Sequence, residues 1–254
     1  MLPPTYNSLD LIIFLVILIL LIINCRCYHM YSSRIPVKVK KFSANSDTAA
    51  LLIHGGCFTE GDETWNCDQA QYISNKCNVD VFTIDFSKKS FLHSKKDIID
   101  FYTALRGEYK GRVGLIGCSS GGFLVLSLLN EIDDPLFVTL LCPVMDPEKR
   151  EDMLLAMRSK QRTKIHDQQV RYFKKRPYPT ARVSNFEFGI VAARDDENVP
   201  LILIEEESKR FQNATIHIVE GTHAISYKPN DAVAEIIMES INKCQATLQE
   251  KSTI

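Results

Sequence analysis

The stretch that decides the fold reads Gly114-Leu-Ile-Gly-Cys-Ser-Ser-Gly-Gly-Phe123. It begins within an apolar run, Val113–Ile116, and ends in a second apolar run that suits a helix. Within it, residues 117–121 have the spacing Gly-x-Ser-x-Gly. A chain that turns directly from a buried strand into a helix has room only for small residues beside the turn, and the residue at its tip projects above the sheet. The stretch therefore predicts a strand–turn–helix unit that exposes Ser119.

Short apolar runs alternate with helical patterns on both sides of this unit. The predicted strands are Ala49–Ile53, Val79–Asp85, Val113–Ile116, Leu136–Cys142, Phe186–Ala192 and Ile216–Val219. The predicted helices are Gln69–Asn75, Lys95–Glu108 with Ser94 as N-cap, Gly121–Glu131, Leu201–Phe211 and Ala232–Leu248. Continuous Val, Ile, Leu and Phe runs suit strands that are buried on both faces. The alternation predicts an α/β domain over residues 36–250, with a mostly parallel, doubly wound sheet.

One interval interrupts the alternation. Residues 147–185 contain no good strand, and their middle, from Met153 to Lys175, has a helical pattern. We expect a short helical cap here. Nine basic side chains lie between Arg158 and Arg182, against the single acid Asp167. They are either a solvated helical face or a surface that rests on anionic lipid.

Composition excludes several classes of protein. The chain has 254 residues, a formal net charge of −1 and 45% hydrophobic residues. That apolar content is sufficient for a core and excludes a wholly disordered chain. The balanced charge argues against a general nucleic-acid partner, which usually meets a clear basic excess. Eight cysteines in this length are too scattered for a small disulfide scaffold, although Cys57, Cys67 and Cys77 could form one bridge in an oxidising compartment.

An exposed serine becomes a nucleophile when a base and an orienting acid accompany it. His223 follows the last predicted strand, and Asp195 and Asp196 follow the strand before it. The carboxyl ends of parallel strands meet at one edge of a sheet, so these groups could reach Ser119. Either aspartate could serve. Ser120 is a rival nucleophile, but its frame would put cysteine where glycine is needed.

A second glycine loop, His54-Gly55-Gly56, follows the first apolar strand. Backbone N–H groups of Gly55, Gly56 and Ser120 could together bind the oxygen of a reacting carbonyl, as an oxyanion hole. Taken alone, His-Gly-Gly would be a tight turn.

The set of motifs resembles the α/β-hydrolases, and more narrowly the hormone-sensitive-lipase-like esterases, which include arylacetamide deacetylase-type enzymes. The resemblance covers about residues 49–245. It rests on the elements His54-Gly55-Gly56, Gly61-Asp62, Thr83-Ile84-Asp85, Asp97, the serine turn, the acid loop and Gly221-Thr222-His223. It implies an α/β-hydrolase fold and a carboxylic-ester hydrolase without metal or organic cofactor. By position, the resemblance assigns the nucleophile to Ser119 and the base to His223. It assigns the acid to Asp196 because the spacing Asp-x-x-Val-Pro is frequent at that place in the family.

The chain also departs from that family. The family's third glycine after the histidine is Cys57 here, and Phe-Ser-Lys-Lys follows Asp85 in place of the usual tyrosine and arginine. The cap is short, so the shape of the family's pocket does not transfer. We expect a small-molecule ester substrate, apolar or lipid-like. The alternatives are an inactive hydrolase-fold scaffold, or a thioesterase or amide hydrolase with the same three residues.

The N-terminus carries a membrane-directed pattern. Leu11–Ile23 is unbroken aliphatic or aromatic, and residues 9–27 are predicted to form a single-pass anchor of the endoplasmic reticulum type. A cleaved signal peptide is the rival interpretation. Basic residues after the segment, beginning with Arg26, favour a cytoplasmic catalytic domain with membrane lipid as a partner. The sequon Asn213-Ala-Thr215 favours the opposite side.

Overall fold

A computed structural model describes residues 37–132, 135–157, 162–174, 177–181 and 186–252. The predicted anchor, residues 9–27, lies outside these ranges, as do Arg158, Lys160, Lys175, Arg176 and Arg182 of the basic cap run. Among the helices that are described, none combines the length and the apolar character needed to cross a bilayer.

Seven strands form one sheet. They are β1 (Lys38–Phe42), β2 (Ala49–Ile53), β3 (Asp80–Asp85), β4 (Val113–Cys118), β5 (Val138–Leu141), β6 (Phe188–Ala193) and β7 (Ala214–Val219). Their order is β1-β3-β2-β4-β5-β6-β7. All neighbours from β3 to β7 are parallel. All six predicted strands are present, with ends that differ by at most two residues.

Helices connect the parallel strands. They are α1 (Cys67–Cys77), α2 (Phe91–Glu108), α3 (Ser120–Leu128), α4 (Pro147–Ala156), α5 (Arg162–Phe173), α6 (Leu201–Ser208) and α7 (Asp231–Ser252), with a 3₁₀ turn at His223–Ser226. The predicted N-cap of α2 is wrong. The helix begins one turn earlier, with Ser90 in the extended cap position. Ser94 lies inside the helix, where its hydroxyl donates to the carbonyl of Ser87.

Strand β1 was not predicted. It reads Lys-Val-Lys-Lys-Phe and buries only Val39 and Phe42, so it lacks the continuous apolar run of a central strand. It pairs antiparallel with β3 at the edge of the sheet, with Lys38 opposite Asp85 and Phe42 opposite Val81. The chain therefore enters the domain at the carboxyl end of β3.

The core lies on both faces of the sheet because alternate strand residues point to opposite sides. Leu51 and Ile53 of β2 belong to one apolar cluster, whereas Ala50 and Leu52 belong to the other. Helices α4 and α5 lie between β5 and β6, where the cap was expected. Aromatic rings fix α5 to the body of the domain; this aromatic cluster comprises Phe58, Phe91, Phe123, Tyr172, Phe173 and Tyr178.

Candidate active site

The turn between β4 and α3 puts Ser119 in a backbone conformation that few residues adopt, with φ +52° and ψ −120°. Glycines make this turn possible. A Cβ on Gly117 would lie 2.8 Å from the Cα of Gly122, and a Cβ on Gly121 would lie 2.3 Å from the carbonyl oxygen of Ile53. Both distances are too short for a methyl group. The Gly-x-Ser-x-Gly spacing is therefore a steric requirement of this turn.

Ser119, His223 and Asp196 form a continuous chain of hydrogen-bonding atoms. The Oγ of Ser119 lies 3.0 Å from the Nε2 of His223, and the Nδ1 of His223 lies 2.7 Å from the Oδ2 of Asp196. An ionised carboxylate only accepts hydrogen bonds, so Nδ1 carries the proton and Nε2 is free to accept the serine proton. The arrangement can remove a proton from the hydroxyl of Ser119.

The structure separates the two candidate acids. Asp196 is 5% exposed, and its Oδ1 accepts hydrogen bonds from the backbone N–H groups of Asn198 and Val199 at 2.8 and 2.9 Å. These bonds fix the carboxylate and leave Oδ2 for His223. Asp195 is exposed, and its backbone N–H donates to the carbonyl of Gly221, in the loop after β7 that carries His223.

The glycine loop after β2 lies directly against the serine. A Cβ built on Gly55 would be 2.9 Å from the Cβ of Ser119 and 3.5 Å from its Oγ. Gly56 has φ +101°, and its carbonyl accepts two backbone hydrogen bonds within its own loop. The hydroxyl of Ser120 accepts the N–H of Phe58 at 3.2 Å, which ties this loop to α3. Of the three residues predicted for the oxyanion hole, Gly55 thus lies against Ser119 and Ser120 follows it directly, whereas Gly56 contacts Glu60 and Trp65. The oxyanion hole itself stays a prediction.

Cys57, where the family's third glycine would stand, also has positive φ, +49°. It is only half-buried. All six described cysteines, including Cys57, Cys67 and Cys77, are free thiols, so the possible disulfide is not formed.

His54 is buried beside the glycine loop and binds its backbone. It is 2% exposed and stacks on Phe86 with ring centroids 4.4 Å apart. Its Nδ1 lies 2.7 Å from the carbonyl oxygen of Gly55, so Nδ1 carries the proton. Burial lowers the pKa of His54 to about 4, and the hydrogen bond to Gly55 only partly opposes this effect. His54 is therefore a neutral, structural histidine at neutral pH.

Cys142, directly after β5, is a buried neighbour of Asp196 that the sequence pattern did not indicate. Its Sγ, a carboxylate oxygen of Asp196 and a ring nitrogen of His223 lie within 4.8 Å of one another. Burial, and secondly the charge of Asp196, raise the pKa of the Cys142 thiol. A protonated thiol is a poor metal ligand, and the other two groups bind each other. The group therefore fits an acid–base relay better than a metal centre.

A sequence profile of a family described as the alpha/beta hydrolase fold matches residues 50–220. No curated protein matches the sequence.

Several solved structures share the fold. A hyperthermophilic esterase from the archaeon Pyrobaculum calidifontis has a TM-score of 0.68 and 16% identity, and the match covers 82% of each chain. A hormone-sensitive lipase from a metagenome library has a TM-score of 0.67 and 15% identity, over 88% of this chain and 84% of that one. Esterase B from Lactobacillus rhamnosis has a TM-score of 0.70 and 13% identity, over 91% and 88%. These identities establish a common fold alone.

Proposed function

The chain belongs to the α/β-hydrolase family, and on that premise we propose that it is a serine carboxylic-ester hydrolase. Ser119 is the nucleophile, His223 the base and Asp196 the acid. The observation that carries the proposal is the connected path from the Oγ of Ser119 through His223 to Asp196, with steps of 3.0 and 2.7 Å. A fold used only for binding has no need of that alignment.

The reaction follows from the positions of the protons. Nε2 of His223 takes the proton of Ser119 as Oγ attacks the ester carbonyl, and the N–H groups of Gly55, Gly56 and Ser120 hold the developing oxyanion. The imidazolium then donates its proton to the departing alcohol, which leaves an acyl-enzyme. A water activated by His223 hydrolyses that intermediate and restores the serine. Asp196 keeps the imidazole in the required tautomer throughout.

The experiment that tests this proposal is covalent labelling of the folded protein with a fluorophosphonate probe, together with hydrolysis of 4-nitrophenyl butyrate. Wild type should be labelled, whereas Ser119→Ala should not. Ser119→Ala and His223→Ala should each lower kcat by about 10⁴ or more while the fold is kept. Ser120→Ala is the control for the choice of nucleophile: it should still be labelled, whereas a loss of labelling in this variant alone would identify Ser120 as the nucleophile. Absence of labelling in folded wild type would favour the scaffold alternative.

We propose further that the substrate has an apolar, lipid-like part and that the protein works at a membrane, held by residues 9–27 as a single-pass anchor of the endoplasmic reticulum type. Four exposed apolar side chains support this, namely Trp65, Leu92, Ile202 and Tyr227. Each follows the carboxyl end of a parallel strand, and Ser119 also lies at the carboxyl ends of the strands. The chain also enters β1 at this edge.

A further inference from the structure

One buried cation at the base of the cap has no anionic partner within the ranges of the chain that the structure describes. Arg150 lies in α4 and is 1% exposed. Its Nε donates to the backbone carbonyl of Asn198 at 2.9 Å, and its Nη2 lies 3.8 Å from the Sγ of Cys57, a weak acceptor. Its Nη1 is buried and meets no hydrogen-bond acceptor within the described part of the chain. Among the residues that the structure describes, no carboxylate lies within ion-pair distance of this guanidinium.

The contacts of Arg150 place it against two loops that hold the reacting groups. Asn198 belongs to the loop that positions Asp196, and its own N–H donates to that carboxylate. Cys57 follows directly on the glycine loop that touches Ser119. The segment that leads into α4 is bonded to the serine itself, because the N–H of Val144 donates to the carbonyl of Ser119 at 2.9 Å. The guanidinium therefore bridges the acid loop and the oxyanion loop.

A buried guanidinium lowers the stability of the fold unless an anion pairs with it. A buried charge without a counter-ion lowers stability by several kcal/mol, and native proteins pair such charges almost without exception. Two acids on the same helix are engaged elsewhere: Glu148 accepts the N–H of Tyr178, and Glu151 accepts from Gln169 and from the hydroxyl of Tyr178. A ligand that brings its own anion would supply the missing partner.

We propose that Arg150 binds a carboxylate of the ester substrate and so determines specificity. This inference rests on the proposed function and narrows its substrate class to esters that carry one carboxylate besides the scissile bond. A carboxylate fits better than a phosphate monoester because one unpaired guanidinium balances one negative charge, and because planar carboxylate oxygens match the N–H groups of arginine. The apolar part of the substrate then lies toward the exposed apolar side chains that follow the carboxyl ends of the strands.

The first test measures binding without turnover. The Ser119→Ala protein is titrated calorimetrically with mono-4-nitrophenyl succinate and with the neutral 4-nitrophenyl butyrate. The succinate should bind about 100-fold more tightly, and Arg150→Met in the same background should abolish that difference. Lys149→Met is the matched control, since it removes one positive charge from the adjacent position of α4, where Lys149 pairs with Glu207. Equal binding of both esters would overturn the inference.

The second test measures turnover. The ratio of kcat/KM for the succinate to kcat/KM for the butyrate should fall about 100-fold in Arg150→Met, partly recover in Arg150→Lys and stay unchanged in Lys149→Met. Thermal unfolding of each variant checks that it is folded. An equal loss on both esters would mean that Arg150 only holds Asn198 in place, and would overturn the inference. Tight succinate binding without hydrolysis by wild type would refute the esterase proposal and leave the carboxylate site standing.

Discussion

Ser119 occupies a backbone conformation that costs of order 1–3 kcal/mol for a residue with a side chain. Three backbone hydrogen bonds hold it there. Its N–H donates to Leu141, and its carbonyl accepts from Gly122 and Val144, at 2.9–3.0 Å. Because those partners come from β5, α3 and the segment that leads into the cap, the serine is positioned by tertiary structure and has little freedom to turn away from His223. The rigidity suits a group that must meet a carbonyl at one angle.

The acid position can be tested by two single substitutions at adjacent residues. Asp196→Asn removes the charge that keeps Nδ1 of His223 protonated, so kcat should fall by about 10⁴. Asp195→Asn changes an exposed side chain and should leave kcat within a factor of about three of wild type. Steady-state hydrolysis of 4-nitrophenyl butyrate measures both. A larger loss for Asp195→Asn would shift the acid by one residue.

Because of His54, the free energy of unfolding should decrease as the pH is lowered below 6.5. Its pKa is lowered from 6.5 to about 4 in the folded state, so the unfolded chain binds more protons between these values. By linkage, the free energy of unfolding then decreases as pH falls from 6.5 toward 4, by about 2 kcal/mol at pH 5 for this group.

Urea unfolding of wild type and His54→Gln at pH 8 and pH 5 measures that contribution as the difference between their pH dependences. His93→Gln, which changes an exposed histidine, is the control. Identical pH dependences for wild type and His54→Gln would contradict the prediction.

At this scale, sequence reasoning located the residues that belong to a local pattern. Ser119 was proposed from its glycine spacing and His223 from its place after a strand. The place after β6 left Asp195 and Asp196 open, and the family resemblance chose Asp196. It missed the neighbourhood of Cys142 and the unpaired charge of Arg150. Nothing within a few residues of either position distinguishes them, because their partners, Asp196 and Asn198, come from a distant loop. Their environment exists only after the chain has folded.

Among the elements, the β4–α3 turn and the last turn of α2 predict opposite responses to a Gly→Ala substitution. The Cβ of Gly121→Ala would lie 2.3 Å from the carbonyl oxygen of Ile53 and 2.5 Å from that of His54, a severe steric overlap. It should lower the free energy of unfolding by at least 3 kcal/mol. Gly107→Ala meets nothing within 4 Å in a helix and should raise it by about 0.5–1 kcal/mol. Urea unfolding compares them; a tolerated Gly121→Ala would contradict the packing of the turn.

The elements that sequence reasoning recovered are those whose own residues determine their burial. Ala49–Ile53 is apolar at every position and buried on both faces, so its bounds were predicted without error. β1 was missed because it is an edge strand whose existence depends on pairing with β3. The start of α2 was misplaced by a turn because Ser90 and Ser94 are both acceptable caps, and tertiary contacts decide between them. The hydroxyl of Tyr172, from the cap, binds Ser94 at 2.6 Å.

For the whole molecule, the membrane proposal predicts a clean separation of attachment from catalysis. A protein that begins at Tyr31 lacks the apolar segment but keeps β1 and everything after it. It should leave the membrane fraction in carbonate extraction while full-length protein remains. Its activity on soluble 4-nitrophenyl butyrate should equal that of the full chain. Retention of the shortened protein on membranes would mean that the domain itself binds lipid strongly.

The reacting groups are widely spaced along the chain: 104 residues separate Ser119 from His223, and 27 separate Asp196 from His223. Such long-range contacts close large loops, and they form late when loop-closure entropy must first be overcome. A partly folded chain with β2 to β5 and the segment up to Val144 assembled would already display the serine turn, yet its hydroxyl would lack a base until β6 and β7 had joined the sheet. The rate at which refolding chains become reactive toward a fluorophosphonate would therefore report completion of the C-terminal half of the sheet, independently of the circular dichroism signal of the helices.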